Sequence, residues 1–373
     1  MPRISGEQTL LASTPYLSPE AQRKDLEERK LILLDKQRDL GDNHPETLDA
    51  MVNLAWLHHQ LGEYGSARDL RVTVLEKYQI LGEGENPSAL HVMPSLGITH
   101  HALGQYKEAL EVAELALEKQ RKVQGENHLE TAGTLGTLAL AYQNLGQLNR
   151  AQELAMSAVE QYSQLLGEDH PATLWSMHGL ANIYHQLGQF TEAEDQYCIV
   201  VEKSIRIHGE NRPNTLRAMG GLGGTYLASG QLKKAEGLLN IVFEKQKRVL
   251  GEEHPDTLRT MGDLANTYNH LGQFSAAEEL ATVALEKHQK ALGEDHPDTL
   301  WMMGELASIF WKQGQLEYAE ELLVTALEKW RKLFVDDYTN TRWTMNELAN
   351  LYRNNDKLQA VQELERLVRG QAV

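Results

Sequence analysis

The sequence predicts an all-α solenoid of tandem helix–turn–helix repeats. Three observations carry the prediction. A segment-opening proline returns every 42 residues, a glycine stop follows it by about 16, and apolar residues on both sides of the stop recur with helical spacing. The proline stands at Pro45, Pro87, Pro171, Pro213, Pro255 and Pro297, with gaps of 42, 84, 42, 42 and 42 residues. Leu129 fills the skipped slot and Thr339 the last, which makes eight units in one register. Two joints are almost the same: Gly251-Glu252-Glu253-His254-Pro255-Asp256-Thr257-Leu258 and Gly293-Glu294-Asp295-His296-Pro297-Asp298-Thr299-Leu300.

In chain order, residues 1–17 form a tail or a degenerate first helix. Ser18-Pro19-Glu20 reads as the cap and first turn of an N-terminal capping helix over 18–40, with the character of a second helix that lacks a first. Residues 41–371 are the eight units, read as one continuous array. The first helix of each unit opens at the proline, whose missing N–H suits the first helical position. The His, Asn or Arg before it falls near the cap. The helix stops at pairs such as Leu61-Gly62, Leu187-Gly188 and Leu271-Gly272, where glycine takes the left-handed conformation that ends helices. The second helix starts a few residues on, with apolar spacing such as Ala277, Leu280, Ala284 and Leu285. Each helix carries an apolar stripe that only its neighbours can cover, so stacking is obligatory. At the far end Tyr338-Thr339-Asn340 replaces His-Pro-Asp, and a last helix runs from about Lys357 to Arg369.

Composition narrows the function. Apolar residues make up 41% of the 373, enough for a core, and no stretch approaches the ~18 apolar residues of a membrane helix. The opening residues are too short of apolar character for a secretory signal. Net charge is −17, which repels phosphate backbones, so neither nucleic acid nor membrane is an expected partner. Cys198 is the only cysteine, which rules out an internal disulfide and a cysteine-based zinc site and fits a reducing, cytoplasmic setting.

Within the units, Leu180-Ala181 with Tyr184 and then Ala193 recur as Leu264-Ala265 with Tyr268 and then Ala277. This pattern resembles tetratricopeptide repeats, which implies a right-handed superhelix. The 42-residue period and the Gly-Glu-Asp-His-Pro-Asp-Thr-Leu joint are similar to kinesin light chain repeats, and closer to the C-terminal arrays of fungal NACHT or NB-ARC signalling proteins. Arg217 and Arg259 match positions where kinesin light chains often carry a basic groove residue. The paired groove asparagines of that family are mostly absent: Asn53 and Asn346 stand, and Gly, Ser, Thr, Asp or Glu hold the other places.

The resemblance implies that first helices line a concave groove. Taking the core leucines (Leu54, Leu96, Leu138, Leu180, Leu222, Leu264, Leu306, Leu348) as reference, helical geometry puts residues two and five positions to either side on the groove face. Those rows contain Trp56, Trp175, His178, Asn182, His185, Arg217, Arg259, Asn266, Asn269, Trp301, Trp311, Trp343, Asn350 and Arg353. They vary from repeat to repeat, as a shaped ligand surface requires. The row three before the leucine (Met51, Met93, Leu135, Met177, Met219, Met261, Met303, Met345) is uniform and reads as core, since methionine fills gaps between helices. Trp and Arg are the types most often energetic at interfaces. The plainer alternatives are that the tryptophans pack between adjacent first helices, and that Arg217 and Arg259 pair with Asp263, Glu305 or other nearby acids. Glycines at Gly133, Gly136, Gly220, Gly221, Gly224, Gly262 and Gly304 each cost up to about 1 kcal/mol of helix stability. Close helix packing or close approach of a ligand backbone would offset that cost.

No nucleotide-binding lysine motif, His-Glu-x-x-His motif or cysteine pair occurs, so no cofactor or metal is expected. His44, His128, His170, His254 and His296 recur because a cap recurs. His58 and His100 replace the Tyr of later repeats and read as structural. His59, His101, His178 and His185 are the only candidates for acid–base chemistry. The leading expectation is therefore a scaffold that binds a protein or peptide segment carrying apolar and acidic groups. The alternative is an enzyme or small-molecule binder using the groove as a pocket, and a third possibility is self-association of the array.

Overall fold

The computed structural model describes residues 19–333, 339–354 and 358–368. The N-terminal tail and Tyr338 at the last joint lie outside them. Among the described residues there are seventeen helices and no strand. In chain order they are α1 (Pro19–Leu40), α2 (Pro45–Gln60), α3 (Tyr64–Ile80), α4 (Pro87–Ala102), α5 (Tyr106–Val123), α6 (Leu129–Asn144), α7 (Leu148–Leu166) and α8 (Pro171–Gln186). Then follow α9 (Phe190–His208), α10 (Pro213–Ala228), α11 (Leu232–Val249), α12 (Pro255–His270), α13 (Phe274–Leu292), α14 (Pro297–Lys312), α15 (Leu316–Leu333), α16 (Thr339–Asn354) and α17 (Leu358–Val368). Even numbers are first helices and odd numbers second helices. The fold is the all-α repeat solenoid that the period predicts.

The joints explain the period. Before six of the first helices the preceding side chain accepts from the backbone N–H two residues on: His44 at 3.3 Å, Asn86 at 2.9 Å, His128 at 3.3 Å, His170 at 3.1 Å, His254 at 3.2 Å and His296 at 3.1 Å, whereas Arg212 before α10 makes no such bond. This satisfies one of the N–H groups that a helix start leaves open. At Thr47, Thr131, Thr173, Thr215 and Thr299 the joint threonine hydroxyl donates back to the glycine carbonyl six residues earlier, at 2.8 Å from Thr173 to Gly167 and from Thr299 to Gly293. That glycine sits in the left-handed region, with φ 94° at Gly293. The joint histidines are therefore caps, as the sequence implies.

The chain divides into two compact units, one ending at Leu180 and one beginning at Ala181. In the first, Leu48, Met51, Leu54, Leu57, Val74 and Tyr78 form a core with Leu26 and Leu33 of α1. In the second, Ala307, Leu323, Met345, Leu348 and Leu351 form one such cluster, and Leu216, Met219 and Val242 another. The methionine row is core throughout the described chain. Ala67, Ala109, Ala151, Ala193, Ala235, Ala277 and Ala319 are wholly buried at one position of the second helices α3 to α15, where only a small residue lets the partner helix approach. Trp330 of α15 is also core.

Burial pushes the proton affinities of His170, His254 and His296 below the ordinary histidine range. A cap needs the neutral ring as acceptor, so its stabilisation is present above the unfolded histidine pKa and is lost as pH falls through the lower folded value. Replacing these three histidines by asparagine, the cap already used at Asn86, should leave the melting temperature at pH 7.5 nearly unchanged. The same variant should lose less melting temperature than wild type between pH 6.5 and pH 5, read by circular dichroism.

Candidate functional site

Adjacent first helices meet where the row two before the core leucine on one helix faces the row five before it on the next. The Trp301 ring lies on Gly262: a Cβ there would come within 2.7 Å of Trp301 Cζ3. Trp343 covers Gly304 in the same way. At these two glycines close helix packing is what offsets the lost helix propensity. Both rings are half-buried, so each keeps one side open. Trp311 is half-buried against the cluster around Leu348, and Trp56 against the first unit's core with Arg29 5.7 Å above its ring. Trp175 is 55% exposed and stacks on His178 with centroids 5.9 Å apart.

The second unit concentrates charge along this face. Arg217 of α10 binds Asp256 of α12 through Nε at 2.9 Å and Nη2 at 2.8 Å. Its partner is thus Asp256, rather than Asp263 or Glu305. The pair holds the Asp256 carboxyl below the usual range although burial opposes it. Arg259, one turn on, makes no ion pair or hydrogen bond among the described residues. Its side chain reaches solvent but is flanked by protein, and Asp298, Asp256 and Asp263 surround it at longer range.

A second row emerges one position before the core leucine: Asp263 on α12, Glu305 on α14 and Glu347 on α16. Asp263 lies over Gly224 of α10, where a Cβ would stand 3.6 Å from its Oδ2. Burial raises its pKa to about 7, against the pull of Arg259. Glu305 is 7% exposed, and burial together with the neighbouring Asp263 and Glu347 raises it to about 8. The Trp301 side chain hydrogen-bonds it and works the other way. Glu347 is raised by burial with Lys312 opposing. The 42-residue spacing of these three acids was visible in the sequence, where Asp and Glu stand among the replacements of the kinesin light chain asparagines and Asp263 and Glu305 also as possible partners of the arginines.

The remaining predicted residues are mostly engaged within the fold. Asn182 accepts from the Tyr197 hydroxyl at 2.5 Å, and Asn350 from Arg353, which also bridges to Glu365. Asn266 is half-buried. Asn269 is 2% exposed with neither side-chain polar atom partnered, so it does not present itself to a ligand. In related positions His59 meets Thr99 and His185 meets Thr225 at 3.2 Å; Ile309 occupies the matching place beside Asn269. His59, His101 and His185 pack on Tyr64, Tyr106 and Phe190 at the start of the following second helix, with centroids 5.0, 5.3 and 5.8 Å apart. His101 Nε2 accepts from Asn144 at 2.8 Å. These histidines pin the helices of a repeat together. A cavity of ≈ 380 Å³ opens among Glu114, Leu117, Leu138, Tyr142 and Arg150, and none of the histidines lines it.

Paired helices, glycine stops, a buried alanine row and a repeated joint define a helical-repeat protein. Family models described as tetratricopeptide repeat match residues 85–159, 130–198 and 298–371, and a second such model matches 47–81, 215–256 and 257–298. The chain belongs to the tetratricopeptide repeat family. A Podosopora anserina kinesin light chain-like protein with nearly identical TPR-like repeats is 32% identical, over 56% of this chain and 99% of that one, with a TM-score of 0.45. A Rap protein complexed with Competence and Sporulation Factor is 16% identical over 95% of this chain and 100% of that one, with a TM-score of 0.58. The quorum sensor NprR from B. thuringiensis is 14% identical over 86% and 90%, with a TM-score of 0.57. The last two likenesses show the fold alone. No curated protein matches the chain. Among the described residues no helix is long and apolar enough to cross a membrane, and no cluster of His, Cys, Asp or Glu has the arrangement of a metal site.

A carboxyl whose folded pKa is raised stabilises fully below its unfolded pKa and loses that contribution as pH rises through the folded value. Glu305→Gln keeps an acceptor for Trp301 and removes the charge. Its stability should match wild type near pH 4 and exceed it at pH 9 by an amount on the order of a few kcal/mol, measured by urea unfolding.

Proposed function

We propose that the chain is an interaction scaffold that holds a protein or peptide segment on the first-helix face of the unit beginning at Ala181. The observation that carries this reading is Arg259: an exposed residue without a hydrogen-bonded or ion-paired partner among the described residues, one turn before Gly262, on which the Trp301 ring lies. A guanidinium of this kind suits a carboxylate, which it binds in a two-pronged, charge-assisted way. An aromatic neighbour suits an apolar anchor. The favoured ligand is therefore an extended segment that sets an acidic residue next to an apolar one. Arg217, already held by Asp256, shapes the wall of the site. Trp343, Asn266 and Trp311 extend the same face toward the C-terminal repeats, and Trp56, Trp175 and His178 offer aromatic surface in the first unit. The likeness of the joints to the arrays of fungal NACHT or NB-ARC proteins supports a sensor or adaptor role in a signalling setting. The Rap relative, solved with Competence and Sporulation Factor, supports the use of this fold to hold a partner.

Selection of random displayed peptides against the wild-type chain tests the proposal. Enriched sequences should pair Asp or Glu with a large apolar residue. Arg259→Glu should weaken their binding about tenfold or more, as expected for loss of a charge-assisted bond. Ile241→Ser, at a half-exposed position on α11, should leave it unchanged. Enrichment of peptides without acidic residues, or equal binding by the Arg259→Glu variant, would overturn the reading.

A further inference from the structure

Three consecutive first helices of the second unit carry the same pair of positions one turn apart: Arg259 and Asp263 on α12, Trp301 and Glu305 on α14, and Trp343 and Glu347 on α16. Each groove-facing anchor thus has a carboxyl four residues later, on the same helix face. None of the three carboxyls forms an ion pair among the described residues, in contrast to Asp256, which Arg217 clamps. Buried carboxylates without paired cations are costly, and proton uptake removes the cost. Resting on the scaffold reading, we propose that the Asp263–Glu305–Glu347 row is a proton-operated gate on the Arg259 anchor. With its carboxyls neutral, Arg259 keeps only the longer-range pull of Asp298 and Asp256, and the face offers its guanidinium to an acidic segment. With them ionised, Asp263 offsets Arg259 and the row repels the segment.

The surroundings favour this assignment. Asp263 is faced by Arg259 on its own helix, by Gly224 of α10 and by Glu305 across on α14. Tyr197 of α9 interacts with both Asp263 and Arg259, and burial raises its hydroxyl far above neutrality, so it stays protonated. Glu305 is faced by Asp263, Glu347, Lys312 and the Trp301 indole, and Glu347 by Lys312 and Glu305. Arg259 is faced by Asp298 of α14 and by Asp256, the latter already paired. Burial pushes the nearby His254, His288 and His296 below the ordinary histidine range. Between slightly acidic and slightly alkaline pH, then, the groups that change charge beside Arg259 are the carboxyls. The values of about 7 for Asp263 and about 8 for Glu305 fall in that interval.

The test uses the full chain and a tetramethylrhodamine-labelled peptide from the selection above, chosen because Arg259→Glu abolishes its binding. Its own carboxylates are already ionised at pH 6, so they add no pH dependence above that point. In the wild type, Kd measured by anisotropy at fixed ionic strength should rise about tenfold or more between pH 6 and pH 8.5. In an Asp263→Asn, Glu305→Gln variant it should stay within about twofold of the low-pH value throughout. Carbon-13 shifts of the Asp263 and Glu305 carboxyls, titrated in the free protein, should report ionisation near neutrality. A wild-type Kd that does not change with pH, or a variant with the same dependence as wild type, would overturn the gate and leave the scaffold standing. If no peptide depends on Arg259, the scaffold reading falls and the gate falls with it.

Discussion

The hydrogen-bonded joint between one second helix and the next first helix is the constraint on which the rest of the molecule depends. A left-handed glycine turns the chain, a histidine or asparagine caps the new helix, a proline starts it, and a threonine hydroxyl ties it back to the glycine carbonyl. Where this knot recurs, its fixed length sets the register of the first helix that follows. Residues 42 apart then occupy equivalent places on successive helices. A choice of residue type at one position is thereby converted into a row, and a row is a surface with a chemical character of its own.

Two kinds of row result. The buried alanine and methionine rows are uniform because the spacing between stacked helices is uniform. The rows near the open face are not. In the second unit they place an open guanidinium, two half-covered indoles and three carboxyls on neighbouring turns. A core of apolar residues would be cheaper at each of those carboxyl positions. In the second unit the fold tolerates them because the first helices α10, α12, α14 and α16 each pack against two second helices.

Much of this was legible before the structure. The period, both helices of each unit, the glycine stops, the histidine caps and the methionine core follow from local rules applied 42 residues apart. The nature of Trp330 and of His58 follows from their place in the register. What the sequence left open was decided by contacts between repeats. Nothing local says that Arg217 takes Asp256 while Arg259 remains without a close partner. Nothing local says that Asn269 is stranded because Ile309, unlike Thr99 or Thr225, has no hydroxyl to meet it. The acidic row was the most readable of the missed features: Asp263, Glu305 and Glu347 share one register, and their burial follows from the neighbouring core leucines.

The indoles seated on glycines have a consequence for how such an array can change over evolutionary time. A repeat that carries Trp at the position of Trp301 or Trp343 can follow only a repeat that offers glycine where Gly262 or Gly304 stands. The two halves of this fit lie 39 residues apart, in different repeats. Copying the unit that carries both Trp301 and Gly304 keeps every ring on a seat, whereas copying the unit of Gly262 leaves a seat without a ring, and copying the unit of Trp343, which has Asn346 in the seat position, leaves a ring without a seat. The C-terminal repeats are dovetailed in a set order, and the cassette free to be copied there is the single unit that carries both a ring and a seat.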